Sequence, residues 1–232
     1  IYRKSGSTMT DVTGSITTPT AGNWKFVNLN GEIFGFQDGH VSCHLANIAS
    51  GTFVNTTLTA GSNKPTGDGI NVADAVAAFG RLWVIDGNYL RYSVLLDGTD
   101  FNGTGGGFFD LNASYLKGGD RGVALAEFNG NLLLLARHHV SVWINPWNPN
   151  GGGSGTGLGT SGDMQILETI GGIGCISRDS VQYTQNDILF LSEQGITSLA
   201  RVVQEKSMPL RRHSDNIRSD VLNLIRTSDI TK

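Results

Sequence analysis

Residues 123–144, VALAEFNGNLLLLARHHVSVWI, contain the pattern that decides the fold of this chain. An apolar run is followed by Asn129-Gly130, a second and almost wholly apolar run, a short polar turn, and a third run in which polar residues alternate with apolar ones. Asn and Gly tolerate the positive φ angles of two-residue hairpin turns. The stretch therefore predicts three short antiparallel strands joined by tight turns.

The same pattern occurs three more times along the chain. The other copies read FVNLNGEIFGFQDGHVSC at 26–43, VAAFGRLWVIDGNYLRYS at 76–93 and VQYTQNDILFLSEQGITSL at 181–199. The first apolar residue after the first turn is Ile33, Leu82, Leu132 or Ile188, which gives steps of 49, 50 and 56 residues. A period near 50 residues with three or four short strands in each period is typical of propeller blades.

We therefore predict an all-β fold of β-propeller-like blades. The repeat units fall near 23–45, 74–96, 122–144 and 179–201. In each unit the most apolar run suits an inner or middle strand, and the alternating runs beside it suit half-exposed strands. A β-sandwich is the competing architecture, because it also consists of many short strands, but it does not require a steady period of 50 residues.

Turn residues mark the ends of the predicted strands. The first turns are Asn30-Gly31, Phe79-Gly80, Asn129-Gly130 and Asn186-Asp187. The second turns are Asp38-Gly39, Asp86-Gly87 and Gln194-Gly195, whereas the third repeat has Arg137-His138-His139 at this point. All but the last have the Asn, Asp and Gly chemistry of tight turns.

The chain divides into three predicted regions. A connecting segment spans 1–22, the blade region spans 23–205 and contains an outer strand within 51–69, and a helical segment spans 206–232. The helix is predicted from the helical spacing of four apolar residues after a cap at Ser214 or Asp215; these are Ile217, Val221, Leu224 and Ile225. The glycine-rich insert 151–162 is either a contact loop or a linker. The character of both chain ends leads us to expect that the chain is part of a larger polypeptide.

Composition excludes several classes of protein. The chain has 232 residues with 32 glycines and only 5 prolines, and its 10 Phe, 5 Tyr and 4 Trp provide a core. Collagen-like and wholly disordered chains are therefore excluded. A net charge of −3 does not support a strongly basic nucleic-acid surface. The longest apolar run, 132–136, is far shorter than a membrane helix.

No motif in the sequence predicts catalysis. There is no nucleophile elbow, Walker loop, zinc-protease motif or EF-hand loop, and 103–107, GTGGG, lacks the Lys-Ser/Thr of a phosphate loop. Absence of acid/base pairing leaves a propeller hydrolase as the weakest functional hypothesis. We predict no catalytic, cofactor-binding or metal-binding residues, no cofactor and no enzymatic activity.

Three groups of residues can be interpreted either as structural or as functional. His138 and His139 are adjacent on a predicted strand and point to opposite faces, and His40 and His44 share a face but lie far apart, so structural or surface roles are favoured over metal binding. The carboxylates favour a plain turn over a Ca²⁺ site; they are Asp97, Asp100 and Asp110. Two distant cysteines, Cys43 and Cys175, indicate buried reduced thiols rather than a disulfide.

Basic residues cluster near the C-terminal end. They are Arg201, Lys206, Arg211, Arg212, Arg218 and Arg226. DNA phosphates or an acidic partner are one interpretation. Interleaved acids favour a solvated surface of mixed charge instead, and these are Glu205, Asp215, Asp220 and Asp229.

Several strings resemble the tail structural proteins of short-tailed, podovirus-like bacteriophages. They are GGIGCISRDSV at 171–181, NDILFLSEQGITSL at 186–199, LRYSVLLDGTDF at 90–101, and Met208-Pro-Leu followed by Ser214-Asp-Asn-Ile-Arg at the start of the helix. The resemblance covers about 72–225. The insert 151–162 and the His138-His139 turn depart from the family pattern.

The resemblance implies a component of the tail nozzle or tail tube. Such a protein forms a ring, usually a hexamer, below the portal and adaptor, and double-stranded DNA passes through it without sequence-specific binding. The implied location is the virion tail, assembled in the bacterial host cytoplasm, with the tail adaptor and tail fibres as partners and no membrane span. No catalytic residue is transferred, since the role is mechanical.

An alternative from another functional class is a non-catalytic carbohydrate- or receptor-binding propeller at the tail tip. The feature that suggests it is a set of aromatic residues expected to be exposed, namely Trp24, Trp143 and Trp147. Aromatic side chains are common at binding surfaces because one end is apolar and the other polar.

Overall fold

The computed structural model describes residues 1–16, 22–113, 115, 119–149, 162–185, 187–199 and 217–227. These residues form two compact units, which are described separately below. The first unit spans 1–109 and the second spans 110–227. Most of the regular structure is antiparallel β-sheet, so the predicted all-β class is confirmed.

The first unit begins with a hairpin and a four-stranded sheet. The hairpin pairs β1 (Tyr2–Ser5) with β2 (Thr8–Asp11). Sheet 1 consists of β3 (Lys25–Leu29), β4 (Glu32–Phe36), β5 (Cys43–Leu45) and β6 (Val54–Asn55), in that order. The predicted outer strand within 51–69 is thus present, but it is only two residues long. The segment predicted as a simple connection at 1–22 contains the hairpin.

Sheet 2 closes the first unit and has the same topology. Its strands are β7 (Val72–Ala78), β8 (Arg81–Asp86), β9 (Tyr89–Tyr92) and β10 (Gly107–Asp110), and each pairs with the next in the chain. Sheets 1 and 2 share a core of large apolar side chains; its members include Leu29, Phe34, Phe36, Leu82, Val84 and Phe101.

The second unit contains sheets 3 and 4 and a helix. Sheet 3 consists of β11 (Gly122–Phe128), β12 (Asn131–Ala136), β13 (His139–Ile144) and β14 (Gln165–Gly171). Sheet 4 consists of β15 (Gln182–Tyr183), β16 (Ile188–Ser192) and β17 (Gly195–Ser198). Short 3₁₀ turns lie at Leu111–Ala113 and Arg178–Ser180 in this unit, and at Thr66–Asp68 in the first unit. The two sheets share a second core, which includes Leu133, Leu135, Ile170 and Phe190.

The predicted repeat is visible in the strand register. In sheet 2 the register shifts between Val72 and Asp74, and in sheet 3 it shifts between Gly122 and Ala124, 50 positions further on. The hairpin pairs Ala78↔Arg81 and Phe128↔Asn131 are also 50 positions apart. The register shifts at corresponding positions in sheets 2 and 3. The repeat therefore includes the arrangement of the strands as well as the pattern of apolar residues.

The first turns have the expected geometry in three sheets. Both central residues have positive φ, 51° and 83° at Asn30-Gly31, 54° and 70° at Phe79-Gly80, and 51° and 75° at Asn129-Gly130. These are two-residue hairpin loops of the type that matches strand twist. In sheet 4 the loop between the paired residues Tyr183 and Ile188 is four residues long, and Asn186 lies outside the described residues.

The second turns differ more from the prediction. The loop after β8 is two residues long, since Asp86 pairs with Tyr89. In sheet 1 the chain between β4 and β5 is longer and contains Asp38-Gly39. His139 is the first residue of β13, so the turn in sheet 3 is shorter than the predicted Arg137-His138-His139.

Burial follows position in the sheet. The predicted middle strands β8 and β12 are almost wholly buried. The expectation that the next strand is half-exposed is wrong for β9 and β13, which are also largely buried. Both are inner strands, because β10 and β14 pair with their second edges, and side chains on both of their faces are covered.

The predicted helix is present as α1 (Arg218–Thr227) and contacts β17. Val221 and Ile225 are half-buried, whereas Ile217 and Leu224 are 53% and 57% exposed. The predicted cap at Ser214 or Asp215 and residues 151–161 of the glycine-rich insert lie outside the described residues.

Candidate functional site

Both cysteines are buried, and neither forms a disulfide. Burial raises the pKa of the Cys43 thiol to about 11, against weaker opposing hydrogen bonds. A thiol with such a pKa is protonated at neutral pH and is a poor nucleophile. Both cysteines therefore fit the predicted structural role.

The four histidines that the structure describes lie in different environments. His138 is exposed in the turn, and His139 is 1% exposed in β13. The expectation that His40 and His44 lie on one strand is wrong: His44 is in β5 and His40 precedes it. His44 stacks on Phe34 with ring centroids 5.7 Å apart. No group of three or more His, Cys, Asp or Glu residues suited to a metal ion occurs in the part of the chain that the structure describes.

The acidic turn residues accept hydrogen bonds from nearby backbone amides. Asp97 accepts from the Thr99 amide at 2.8 Å, and Asp100 accepts from the Asn102 amide at 2.8 Å. Asp110 does the same for the Asn112 amide at 2.9 Å. These are Asx-type turns, the structural role that the sequence favours for these carboxylates.

The three tryptophans have different environments. Trp143 is 2% exposed, so the expectation that it is a surface residue is wrong; it lies in β13, an inner strand that is buried on both faces. Trp24 is half-buried and stacks on Phe26 at a centroid distance of 5.8 Å. Trp147 is 60% exposed. Of the C-terminal basic cluster, the structure describes the backbone of Arg218 and all of Arg226, which lie in α1.

A cleft of about 450 Å³ is the candidate site of the second unit. Its wall is formed by the turn between β12 and β13, the chain after β14 and the turn between β16 and β17. The lining residues are Asp120, Arg137, His138, Gly171, Gly172, Ile173, Gly174, Ser192, Glu193 and Gln194. Gly174 is required here, because a Cβ would meet the backbone of Arg137 at 2.4 Å.

The cleft has an ion pair at its rim and a carboxylate at its base. Arg137 Nε donates to Glu193 Oε1 at 3.2 Å across the cleft. Asp120 is 6% exposed and accepts from the backbone amides of Arg121 at 2.8 Å and His138 at 3.2 Å. These hydrogen bonds hold the turn between β12 and β13 against the carboxylate.

Asp120 also pairs with a buried histidine. His139 Nδ1 lies 2.6 Å from Asp120 Oδ2, and the Tyr115 ring meets the His139 ring edge-on at 5.5 Å. An ionised carboxylate accepts hydrogen bonds only, so it selects the tautomer with hydrogen on Nδ1. The Tyr115 hydroxyl accepts a bond from the Gly122 amide at 2.9 Å, and burial raises the pKa of Tyr115 to about 12. This buried cluster anchors the start of β11 to β13.

The first unit contains buried charges of the same anchoring kind. Arg91 Nε donates to Asp86 Oδ2 at 2.7 Å, and both side chains are nearly inaccessible. Asp86 also accepts from the Thr66 amide and hydroxyl, each at 3.0 Å. Lys25 of sheet 1 lies 3.3 Å from the buried Asp74 of sheet 2. Buried ions must be paired to be tolerated, and these pairs connect loops and sheets.

Arg81 fixes the glycine-rich loop that the sequence singled out. Its Nη1 donates to the carbonyls of Ser93 at 2.7 Å and Gly105 at 2.5 Å. Burial lowers the pKa of the guanidinium from its ordinary value. The loop 103–107 thus leads into β10 and does not bind phosphate through a helix N-terminus.

The charged pairs of the first unit were not predicted from the sequence, although charged residues within apolar strands indicate that partners must exist. Asp74 lies within the apolar run of β7, and Arg91 lies within that of β9. A charge inside an apolar strand requires a partner, but the partner is remote in sequence for Lys25 and Asp74. Pairing at that range follows from tertiary structure.

Similarity to known proteins is found among solved structures. No protein-family model matches the chain, and no curated protein matches it. Among solved structures, the chain is similar to one described as the "extracellular domain of the putative one component system" from B. thetaiotaomicron, with a TM-score of 0.49 and 8% identity. The match covers 78% of this chain and 21% of that chain, so the chain spans about a fifth of that structure. Within the described residues, no helix has the length and apolar character needed to cross a bilayer.

Proposed function

We propose that this chain is a structural component of a virion, part of the tail nozzle of a short-tailed bacteriophage, in which the sheets are blades of a β-propeller. The observation that carries the proposal is the 50-residue repeat, with its matching bulges and hairpin pairs in sheets 2 and 3. The strings at 90–101 and 171–199 that resemble tail proteins supply the functional part.

The sheet topology supports blades over a sandwich. Sheets 1, 2 and 3 each consist of four strands in simple consecutive order. Propeller blades are four-stranded meanders of this kind, whereas most sandwiches have Greek-key connections. Sheet 4, with three described strands in consecutive order, fits the same pattern.

The chemistry of the buried polar residues suits a mechanical role. Asp86 and Asp120 are each satisfied by hydrogen bonds that hold loops to strands. Such hydrogen bonds fix the loops against the strands, although His139 Nε2 in the Asp120 cluster has no hydrogen-bond partner among the described residues. A wall that carries a genome under pressure needs this rigidity and needs no reactive residue.

The proposed partners follow from the nozzle role. Copies of the chain form a ring, expected to be a hexamer, which contacts the tail adaptor and tail fibres, and double-stranded DNA passes through it. The net charge of −3 suits passage, because a basic channel would bind phosphates and slow the DNA.

Electron microscopy tests the proposal directly. The purified chain is examined for rings by negative staining. Virions of the phage that encodes the chain are labelled with a gold-conjugated antibody against it. We expect rings and label at the tail. A chain that stays monomeric at high concentration, together with the absence of label from tails, would reject the proposal.

The exposed Trp147 favours a second candidate, a carbohydrate- or receptor-binding module at the tail tip. A glycan array tests it with the wild type, Trp147→Ala, and Tyr183→Ala as a matched control, since Tyr183 is 57% exposed in the same unit. Binding that is lost only in Trp147→Ala supports this candidate. Absence of binding by the wild type removes it.

A further inference from the structure

The first unit displays two adjacent leucines on a strained turn. Leu95 and Leu96 are 60% and 53% exposed, in the turn closed by the bridge between Val94 and Asp97. Leu96 has a φ of 61°, a region that leucine rarely adopts. Exposed apolar side chains and a sparsely populated backbone conformation both cost free energy, and strain of this kind is concentrated at functional positions. We call this feature the leucine turn.

Neighbouring turns hold the leucine turn in place. The Leu96 amide donates to the Gly80 carbonyl at 2.7 Å, and Asn30 Nδ2 donates to the Leu96 carbonyl at 3.4 Å. The Val94 amide donates to the Asp100 carbonyl at 2.8 Å. A Cβ on Gly80 would lie 2.8 Å from Leu95 Cδ1, so glycine allows the leucine to pack close to the hairpin. Both leucines are thus presented on a fixed backbone.

The first unit also has an apolar groove, of about 200 Å³. It lies between the β1–β2 hairpin and sheet 1. The lining residues are Ile1, Tyr2, Arg3, Val12, Phe26, Ile33, Leu45, Ile48 and Phe53. Tyr2 and Phe26 are 65% and 42% exposed, so the groove presents an apolar surface to solvent. Such grooves bind apolar side chains of a protein partner.

The two features have complementary charges at their edges. The exposed Asp97 closes the leucine turn, and the half-buried Asp100 lies three positions after it. At the groove, Arg3 is a lining residue and Lys4 follows it in β1. The β1–β2 hairpin has a single carboxylate, Asp11, so these two cations give its strands a net positive charge. Complementary charges favour correct docking and fast association.

We infer that the leucine turn of one copy docks in the apolar groove of a second copy of this chain. Two different surfaces of one chain that fit each other give a head-to-tail contact, which closes into a ring when the rotation is suitable. The inference rests on the proposed ring, and it names the contact between neighbouring copies.

Cross-linking between two variants that each carry one introduced cysteine tests the contact. Leu95→Cys and Ile48→Cys are prepared in the full chain; Ile48 lines the groove and is 36% exposed. The native thiols are buried and do not compete. The variants are treated with a short bismaleimide, alone and mixed. We expect a covalent dimer in the mixture and at least tenfold less in either variant alone.

The possible results separate this inference from the proposed function. Rings with no cross-link in the mixture overturn the leucine contact and leave the nozzle proposal intact. A dimer of Leu95→Cys alone also overturns it, since it shows a symmetric contact of leucine turns. Failure of the wild type to form rings, with no label on tails, rejects the nozzle proposal itself.

A second variant separates association from folding. Leu96→Gly removes the side chain and relieves the positive φ, so we expect the unfolding midpoint to stay level or rise while the self-association constant falls at least tenfold. Leu167→Ser, at a leucine that is 62% exposed in the second unit, is the control and leaves association unchanged. Wild-type association by Leu96→Gly in sedimentation measurements would overturn the inference.

Discussion

Sheet 2 in the first unit and sheet 3 in the second share one register but stabilise their interiors differently. Their strands and bulge correspond at a step of 50 residues. The four charged residues of β7, β8 and β9 have uncharged counterparts in sheet 3; Asp74, Arg81, Asp86 and Arg91 correspond to Ala124, Asn131, Ala136 and Ser141. Sheet 3 has its own buried ionisable pair elsewhere, between Asp120 and His139.

The difference teaches that the meander does not depend on charge at these four strand positions. Strand pattern and hairpin turns are common to both sheets, and they suffice to form the sheet. The charged pairs of the first unit connect β8 and β9 to loops and β7 to sheet 1. We infer that they select one arrangement of those loops, a role that is attested for some buried ion pairs.

The largest expected effect is the loss of one member of the pair Asp86–Arg91. Asp86→Ala leaves the Arg91 guanidinium buried without its carboxylate and should lower the free energy of unfolding by about 3–5 kcal/mol. Urea unfolding followed by tryptophan fluorescence measures it. The double variant Asp86→Ala/Arg91→Ser, which copies Ala136 and Ser141, should recover part of the loss. A loss in the double variant that equals the sum of the losses in Asp86→Ala and Arg91→Ser would show that the pair is not coupled.

Loss of the carboxylate in the second unit should have a somewhat smaller effect. Asp120→Ala removes the acceptor of two backbone amides and of His139 Nδ1, and we expect a cost of about 3 kcal/mol in the free energy of unfolding. Asp120→Asn keeps one acceptor oxygen and should cost less. If Asp120→Ala unfolds at the wild-type urea concentration, the anchoring role assigned to Asp120 is wrong.

Alkaline pH should destabilise both units, in different ranges. The raised pKa values mean that Cys43 and Tyr115 keep their protons in the folded chain after the unfolded chain has lost them. Their contribution is complete below the unfolded pKa and is lost as pH rises, from about 9 to about 11 for Cys43 and from about 10 to about 12 for Tyr115. Each shift corresponds to about 2–3 kcal/mol.

Thermal unfolding measured between pH 8 and 11.5 tests this dependence. Cys43→Ala should reduce the loss of stability above pH 9, and Tyr115→Phe should reduce it above pH 10. A pH profile that neither variant changes would contradict the assignment.

The smallest expected effect concerns the first hairpin turns. Phe79 has a φ of 54°, whereas the corresponding residues of sheets 1 and 3 are Asn30 and Asn129, which tolerate this region. Asn129→Phe should destabilise the chain by about 1 kcal/mol, and Phe79→Asn should stabilise it by a smaller amount, since Phe79 is half-buried. Chemical denaturation of both variants measures the difference. Destabilisation by both would show that side-chain packing outweighs backbone strain at this turn.

The strands and turns were largely predictable from the sequence, and the site was not. The apolar run 132–136 and the turn Asn129-Gly130 identify a buried strand and its hairpin, because both signals are local. The burial of Trp143 was missed, since it depends on β14, which begins 22 positions later along the chain at Gln165. The groove at Phe26 was also missed, because the residues that line it are spread along the chain from Ile1 to Phe53.

By itself, the sequence determined the repeat, the strand order within each sheet and the tight turns, because hydrophobic alternation and positive-φ residues act over a few neighbouring positions. Tertiary structure alone decided which charges are paired, which aromatic side chains are buried, and where the leucine turn and the apolar groove lie. Those properties depend on residues that are distant in sequence, and only the folded chain brings them within contact distance.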